Sequence, residues 1–486
     1  MVSALLMACG DDSTTGGTGG TGGTGGAGGT SKYDAAWQAT LADVSERTAE
    51  LEIPGAAVAI VLDGKVAYAG GVGVRSRSAG EPVTGDTLFR SSSAASKTII
   101  AVALLDAAED GELDFQTPVS DLTPAIQLNP SYSDDINLDL LLLQRSGIDC
   151  CQYRSACVDD PGVVQYFESK GEIPSLVRPD AIWEYTASGS VAGAAVLETV
   201  EARPFTEVLR DRVLVPAGMT SATYDPAEAR SRDHAVGHTK SNETEVDELV
   251  GVTCGERIAS TGLFASALDH GRFLEVLLEP GRVLDAASLE VLQGDEHNPG
   301  FGPSWSYGYQ AYGLEYKGVR VYHHYGMSDG FAGGVSWIPE RGFGVVVLTN
   351  LEQEDGYELA YAIEELRWRS IDRFLELSGT APDNSTPSST WAKYVGTYVD
   401  PIAPTISFVV GQDANEQLTM SIEPSAPTPV VMAQGALDAP YEGGDVFGYT
   451  SGSTYVFVAF YPDEMGTMRY ANIYSSVAGH RVGERQ

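Results

Sequence analysis

Basic residues are scarce in this sequence: 30 Lys and Arg stand against 67 Asp and Glu, so the formal net charge is −37. Nucleic acids and anionic lipid surfaces attract proteins mainly through positive charge, so neither is expected as a partner. Beyond its first residues the chain also lacks an apolar run long enough to cross a bilayer. The acidity is best interpreted as a means of keeping an exported protein in solution.

Cysteine is scarce as well, and the first of the five, Cys9, ends the apolar run MVSALLMAC. This run resembles a bacterial lipoprotein signal, in which the cysteine becomes the lipid-bearing N-terminus after cleavage. No Lys or Arg precedes it, although such signals begin with one, so a start upstream of Met1 is expected. The Thr-Gly-Gly repeat in residues 10–30 should form a flexible tether of roughly 25 Å. We expect an exported protein in the bacterial cell envelope that contacts the membrane only through a lipid on Cys9.

The other four cysteines form an even set, which in an exported chain favours disulfide bonds. They are Cys150, Cys151, Cys157 and Cys254. Because neighbouring cysteines are poor partners, one of Cys150 and Cys151 should pair with Cys157 and the other with Cys254, in either assignment. A metal site is the alternative, but the segment CCQYRSAC contains no His. We predict no metal ion and no cofactor.

Residue patterns predict the first elements of the fold. An amphipathic helix is expected at 34–51, followed by two strands joined at Asp63-Gly64, because Asp-Gly between apolar runs is a strong hairpin signal. A further helix should begin near Ala94 and end near Gly111. Helices and loops should follow for most of the next two hundred residues.

Strands return late in the chain. Residues 320–350 contain apolar runs separated by glycine-rich turns, and 354–377 have a helical pattern. One sheet should therefore join both ends of an α/β domain that spans 31–378. The polar segment 379–390 is a linker by composition, and the short alternating strands of 391–486 predict a separate, small, barrel-like β domain.

Several stretches, in this order and spacing, resemble the serine β-lactamase and penicillin-binding-protein superfamily. They are TLFRSSSAASKT, EDGELDFQTPVSDLTP, LLLQRSGI, WEYTASGSVAGAAVLE, IASTGLFASALDHGRFLEVLL and HHYGMSDGF followed by GVVVLTN. The similarity is greatest to the branch of class C β-lactamases, D-alanyl-D-alanine carboxypeptidases and esterases. It implies an α/β (α+β) fold: an antiparallel sheet flanked by helices, with an all-helical region beside it.

The resemblance implies three catalytic elements. A Lys/His-x-Gly strand lines one wall and is matched by His324 and Gly326, with the N–H of Met327 facing the oxyanion. A Tyr-x-Asn loop is only half matched. Tyr185 stands at its first position, but Ala187 replaces the amide, and the neighbouring Ser188 offers a hydroxyl in its place.

The third element, Ser-x-x-Lys, lacks its serine, because three residues before Lys97 stands Ala94. Counting forward from the LFR sequence instead reaches Ser93, so one residue is inserted before the lysine. A turn absorbs an insertion more easily than a helix, which one extra residue would rotate by about 100°. We therefore expect the insertion among Ser91, Ser92 and Ser93, with Ala94 at the attacking position.

These observations predict an impaired or inactive member of an envelope-anchored serine hydrolase family that transfers the acyl group of β-lactams, D-alanyl peptides or esters. One alternative is an active hydrolase that uses Ser93, since residues four apart also share a helix face. The other is a non-catalytic protein whose cleft holds a small molecule or a peptidoglycan peptide. The sequence indicates no oligomeric state. The orientation of Ser93 relative to the cleft distinguishes these possibilities.

Overall fold

The computed structural model describes residues 32–148, 162–239, 255–352, 357–380 and 387–486, except 296, 300, 301, 303, 402, 425, 435–444, 452, 453 and 476–478. The proposed tether and Cys9 lie outside these residues. So do Cys150, Cys151, Cys157 and Cys254, and the disulfide pairing stays a prediction.

The secondary structure alternates between helices and antiparallel strands. The α-helices are α1 (Lys32–Glu50), α2 (Ser93–Glu109), α3 (Val119–Leu122), α4 (Leu138–Leu142), α5 (Val163–Lys170), α6 (Ser188–Glu201), α7 (Phe205–Leu209), α8 (Val215–Ala217), α9 (Pro226–Arg230), α10 (Gly255–Thr261), α11 (Ala267–Leu278), α12 (Ala286–Gln293) and α13 (Tyr357–Leu375). A π-helical turn covers Arg210–Leu214, and 3₁₀ turns cover Pro339–Arg341 and Ser388–Tyr394. None of the helices described is both long and apolar enough to cross a membrane.

The strands of the first part of the chain are β1 (Gly55–Leu62), β2 (Lys65–Gly73), β3 (Leu88–Arg90), β4 (Gln127–Leu128), β5 (Glu172–Ile173), β6 (Phe264–Ser266), β7 (Trp305–Gly308), β8 (Ala311–Tyr316), β9 (Val319–Ser328), β10 (Phe331–Ile338) and β11 (Phe343–Thr349). Those of the last part are β12 (Gly396–Val399), β13 (Ser407–Gln412), β14 (Leu418–Glu423), β15 (Ala426–Val431), β16 (Ala433–Gln434), β17 (Val446–Ser451), β18 (Thr454–Pro462), β19 (Met468–Ser475) and β20 (Gly479–Arg485).

The main sheet has the order β2-β1-β11-β10-β9-β8-β7, and its pairs are antiparallel. Strand β1 pairs with β11, which opposes Ala59 to Val346 and joins the two ends of this region, as predicted. The hairpin of β1 and β2 turns at Asp63 and Gly64, whose φ angles are 49° and 71°. These positive values explain the Asp-Gly pair, because a tight hairpin turn needs residues that tolerate this conformation.

Helices cover both faces of the main sheet. On one face α1 and α13 pack over the apolar side chains of β1, β9 and β11. On the other face α2 and α11 pack against the sheet, and the all-helical region, with α4 and α6, adjoins α2. The predicted α/β fold with an antiparallel sheet is therefore confirmed.

A second, nine-stranded sheet forms the C-terminal region, in the order β15-β14-β13-β12-β20-β19-β18-β17-β16. The two end strands, β15 and β16, are consecutive in the chain and separated only by Met432. The sheet must therefore curve until its ends meet at this residue. Aromatic and aliphatic side chains, among them Trp391, Tyr394 and Phe460, fill its interior.

We expect the sheet core to be sensitive to loss of volume. Val58 in β1 is fully buried, so Val58→Ala should lower the free energy of unfolding by about 2 kcal/mol. Val215, of which 66% is exposed, provides the same substitution without burial, and Val215→Ala should change stability by less than about 0.5 kcal/mol. Urea unfolding followed by circular dichroism measures both. Equal effects of the two substitutions would contradict the assigned burial.

Candidate active site

The chain that leads into α2 is fixed by a buried Ser–His pair. The backbone N–H of Ser91 donates to Leu263 O at 2.8 Å, and the Ser91 hydroxyl donates to His270 Nε2. His270 Nδ1–H donates to Ser266 O at 2.7 Å, and burial lowers the pKa of the imidazole, which keeps Nε2 an acceptor. Ser91 and His270 are fully buried, so this pair positions backbone and does not meet substrate. The sequence pattern gave no indication of it.

Ser92 forms the turn immediately before α2. Its φ of 49° and ψ of −143° lie outside the helical region, and a positive φ is strained for a residue with a side chain. Its hydroxyl accepts from Ser328 Oγ at 3.0 Å and lies 3.4 Å from Phe331 O, to which it donates. The insertion expected among the three serines thus coincides with a non-helical turn that β9 and β10 hold in place.

The residue at the wall of the cleft is Ser93. Helix α2 begins at Ser93, so both Ser93 and Lys97 lie within it. Because they are four residues apart, they share one helix face. Ser93 retains 8% exposure and lines a cavity of about 450 Å³, whereas Ala94 is fully buried. The structure thus places Ser93 on the cavity wall and Ala94 behind it, and which residue attacks stays a prediction.

Gly326 brings β9 against the first turn of α2. A Cβ placed on Gly326 would lie 2.2 Å from Ser93 N and 2.6 Å from Ala94 N. No real side chain fits at such distances, so the glycine of the His-x-Gly motif is required for this approach. The close approach of β9 to α2 therefore depends on a glycine at position 326.

Lys97 lies behind Ser93 and is fully buried. Its Nζ donates to Thr186 O at 2.8 Å and lies 4.2 Å from the centroid of the Tyr185 ring. Burial lowers the pKa of Lys97 to about 7, since an ammonium group loses its hydration in the interior. At neutral pH a large fraction of Lys97 is therefore the free amine, which can accept a proton.

The segment after Tyr185 is held by a glutamine that the motif comparison did not identify. Gln144 Nε2 donates to Thr186 O at 3.0 Å, and Gln144 Oε1 accepts from Thr186 N at 2.9 Å. Ala187 and Ser188 are each 2% exposed, and the Ser188 hydroxyl is hydrogen-bonded to Thr186 Oγ1. Neither residue is among those found to line the cavity, and the substrate contacts of Ala187 and Ser188 stay predictions. The Ser188 hydroxyl folds back onto its own turn.

His324 is a neutral residue at the back of the site. Its Nδ1–H donates to Tyr325 O at 2.8 Å, and its ring centroid lies 5.9 Å from that of Tyr185. Burial, with the positive charge of Lys97 as a further cause, lowers the pKa of His324 to about 3. The imidazole therefore carries no charge at neutral pH, and its buried Nε2 has no hydrogen-bond partner among the described residues.

The C-terminal region supports the Tyr185 segment from outside. Asn472 Nδ2 donates to Trp183 O at 3.2 Å, and Trp183 packs in one apolar cluster with Tyr461 and Tyr470. Since Trp183 is two residues before Tyr185, strands β18 and β19 help to fix the position of the tyrosine. The C-terminal sheet thus contributes to the architecture of the site.

Some of the predicted site residues line the cavity, whereas others are buried next to it. Its lining consists of Ser93, Tyr185, Thr261, Tyr325, Gly326, Met327, Ser328, Asp329 and Glu352. Lys97 and His324 are buried next to Tyr185. Within the described residues, no group of three or more His, Cys, Asp or Glu side chains is arranged to hold a metal ion.

This arrangement has a counterpart among known families. The family model described as Beta-lactamase matches residues 41–367, well over half of the chain. The protein therefore belongs to the beta-lactamase family of serine hydrolases, as the resemblance of its motifs predicted.

Individual relatives carry different names. Penicillin-binding protein 4 from Amycolatopsis lactamdurans is 26% identical over 315 residues, which cover 62% of this chain and 82% of that protein. Esterase EstB from Burkholderia gladioli is 26% identical over 349 residues, which cover 63% and 88% respectively. The structure of the octameric penicillin-binding protein homologue from Pyrococcus abyssi aligns with a TM-score of 0.62 at 21% identity, over 92% of this chain and 100% of that one. This last likeness shows the fold.

The contact between Gly326 and α2 can be tested by adding one methyl group. Gly326→Ala should displace the start of α2 and lower the free energy of unfolding by several kcal/mol, because the new Cβ overlaps backbone atoms that cannot move independently. Gly318→Ala, at the turn before β9, is the control. Its Cβ meets nothing within 4 Å, so only strain of about 1 kcal/mol at its φ of 83° is expected.

Chemical denaturation compares the two glycine variants. A Gly326→Ala protein as stable as Gly318→Ala would show that β9 and α2 are not in close contact.

Proposed function

We propose that the protein is a working acyl-serine hydrolase that cleaves small esters or amides, with Ser93 as the nucleophile. One observation carries the proposal: Ser93 lies on the cavity wall, and its hydroxyl has no hydrogen-bond partner among the described residues. A serine held at the start of a helix beside a buried lysine is the arrangement that nucleophilic catalysis needs. The motif Ser-x-x-Lys is thereby replaced by Ser-x-x-x-Lys.

Lys97 serves as the base in this proposal. Its lowered pKa supplies a free amine near neutral pH, and its position one helical turn after Ser93 directs it to the same face. Burial is the cause of the lowered pKa, and among the described residues no carboxylate is found to counteract it. A lysine kept for an ion pair would instead have a nearby acid, so the environment of Lys97 supports a role in proton transfer.

Two backbone N–H groups are candidates for the oxyanion hole. Ser93 is the first residue of α2, and the N–H groups of a first helical turn have no partner within the helix. Met327 follows Gly326 and lines the cavity, so its N–H is the second candidate by resemblance to the family. The close approach of Gly326 to Ser93 N brings Met327, the next residue in β9, near the start of α2, which supports this pairing.

The proposed reaction has two steps, acylation of Ser93 and hydrolysis of the acyl-serine. The Ser93 Oγ attacks the carbonyl carbon while its proton passes to Lys97 Nζ, and the leaving alcohol or amine departs with that proton. Water then attacks the acyl-serine, which releases a carboxylic acid and restores the Ser93 hydroxyl. Tyr185 lines the cavity and its ring lies against Lys97 Nζ; by resemblance to the family, its hydroxyl relays the proton. The printed name of Esterase EstB supports esters as one substrate class.

A ligand-binding protein without turnover is the second candidate, favoured by one observation. The hydrogen bond of Lys97 Nζ goes to Thr186 O, and none joins it to Ser93 among the described residues. Activity therefore requires a rotation of the amine or of the serine hydroxyl, both of which turn about single bonds. If that rotation does not occur, the cleft can still hold a ligand.

Removal of the nucleophile is the direct test. Ser93→Ala should lower kcat for hydrolysis of 4-nitrophenyl butyrate by more than about a thousandfold, because it removes the oxygen that attacks the carbonyl carbon in the proposed mechanism. Ser45→Ala, an exposed position on α1, is the matched control and should retain full activity. Release of 4-nitrophenolate measures both rates. Undiminished hydrolysis by Ser93→Ala, or no hydrolysis by the unaltered protein, would refute the proposal.

The pH profile tests the lysine. Because the free amine of Lys97 accumulates as pH rises through its pKa of about 7, kcat/KM for a neutral ester should rise over this range and then level off. Lys97→Arg keeps its charge at every accessible pH and should lose about a hundredfold or more in activity. Initial rates at constant ionic strength provide the profile. A flat profile across neutral pH, or an active Lys97→Arg variant, would exclude Lys97 as the base.

A further inference from the structure

Arg90 is a buried cation to which the proposed mechanism gives no role. It is the last residue of β3 and stands immediately before the three serines that lead into α2. Only 4% of its side chain is exposed. A guanidinium group loses its hydration on burial and is tolerated when its N–H groups have acceptors. The groups that Arg90 binds therefore indicate its role.

Two partners of Arg90 belong to different segments of the cavity lining. Arg90 Nε donates to Thr261 O at 3.0 Å, and Arg90 Nη1 lies 3.3 Å from Asp329 Oδ2 in an ion pair. Thr261 ends α10, whereas Asp329 lies in the turn between β9 and β10. Both residues line the cavity together with Ser93. One side chain thus joins two parts of the cavity wall that are distant in the sequence.

The guanidinium group fixes the direction of both contacts. Its nitrogens lie in one plane and donate in set directions, so partners on different nitrogens are held at a defined angle and separation. Arg90 Cζ also lies 5.8 Å from the centroid of the Phe264 ring, whose face attracts the cation. A lysine has one ammonium nitrogen on a flexible chain and would not reproduce this arrangement.

The loop after α10 is also bound by the residue that follows Arg90. Ser91 N–H donates to Leu263 O at 2.8 Å, so two consecutive residues hold this loop. The turn with Asp329 is similarly close to the start of α2. Asp329 is three residues after Gly326, which contacts that start, and three residues span at most about 11 Å. Both segments bound by the guanidinium group are therefore near the proposed nucleophile.

We propose that Arg90 is a positioning residue that determines which acyl groups the hydrolase accepts. It acts through Thr261 and Asp329, whose separation sets the width of the cavity beside Ser93. A two-carbon acyl group stays next to the nucleophile and depends little on this width, whereas a longer chain extends between the two walls. This proposal rests on the proposed function and specifies how its site selects substrates.

Two esters with the same leaving group test the proposal. They are 4-nitrophenyl acetate and 4-nitrophenyl hexanoate, which differ only in the length of the acyl chain. Arg90→Lys keeps the positive charge but loses the fixed pair of contacts. We expect kcat/KM for the hexanoate to fall about fivefold more than that for the acetate, as for the loss of one hydrogen bond.

Arg373→Lys is the matched control. Arg373 also holds two partners on another element, since its Nη1 donates to Thr40 Oγ1 at 2.9 Å and its Nη2 donates to Asp43 Oδ2 at 2.6 Å. It joins α13 to α1, on the face of the main sheet opposite α2. The same substitution should therefore affect stability in a similar way but leave the ratio of hexanoate to acetate unchanged.

A second variant alters the other end of the ion pair. Asp329→Glu keeps the negative charge but lengthens the side chain by one methylene, which moves the turn relative to Arg90. The ratio of hexanoate to acetate should fall here too. The two substitutions together should lower the ratio by less than the product of their separate effects, because they act on one link. Where Arg90→Lys does not fold, as circular dichroism shows, the ratio in Asp329→Glu alone decides.

Each outcome has a distinct meaning. An equal fall with both esters, or the same change of ratio in Arg90→Lys and Arg373→Lys, would show that Arg90 only stabilises the fold. An unchanged ratio likewise overturns the positioning role, and all three results leave the hydrolase intact. No hydrolysis of either ester by the unaltered protein overturns the hydrolase and the positioning role together.

Discussion

The close approach of one strand to one helix determines the rest of this site. Gly326 places β9 so near the backbone of Ser93 that no side chain fits between them. The contact brings β9 against the start of α2, where Ser93 lines the cavity together with Met327. The buried Ser91–His270 hydrogen bond and the hydroxyl contact of Ser92 with Ser328 hold the preceding turn in place.

A buried lysine is unfavourable for stability, and Lys97 has no acidic partner in the part of the chain that the structure describes, so its presence needs an explanation. The structure retains Lys97 by giving it a carbonyl acceptor, Thr186 O, and the face of an aromatic ring, Tyr185. Gln144 fixes that carbonyl, and the C-terminal sheet supports the segment through Asn472. Elements from three distant parts of the chain thus maintain one amine in a dry environment, where its pKa falls into the range useful for catalysis.

Features encoded locally could be predicted from the sequence. The Asp63-Gly64 turn, the apolar runs of β1 and β11 and the His-x-Gly strand depend on residues close together in the chain, and each was found as expected. The register at the nucleophile could not be derived in this way. It depends on whether Ser92 adopts a positive φ and α2 starts at Ser93, and both are decided by contacts with residues more than 170 positions away. The hydrogen bond between the Ser188 hydroxyl and Thr186 is likewise a contact that the motif pattern does not reveal.

The acyl-serine mechanism depends on which of three adjacent serines reacts. The most direct measurement is tandem mass spectrometry of the peptide that contains Ser91, Ser92 and Ser93 after incubation of the protein with a fluorophosphonate. Our account predicts a single phosphonylated residue, Ser93, since Ser91 and Ser92 are fully buried and hydrogen-bonded. A label on Ser91 or Ser92, or no label on this peptide under conditions that modify an active member of the family, would contradict it.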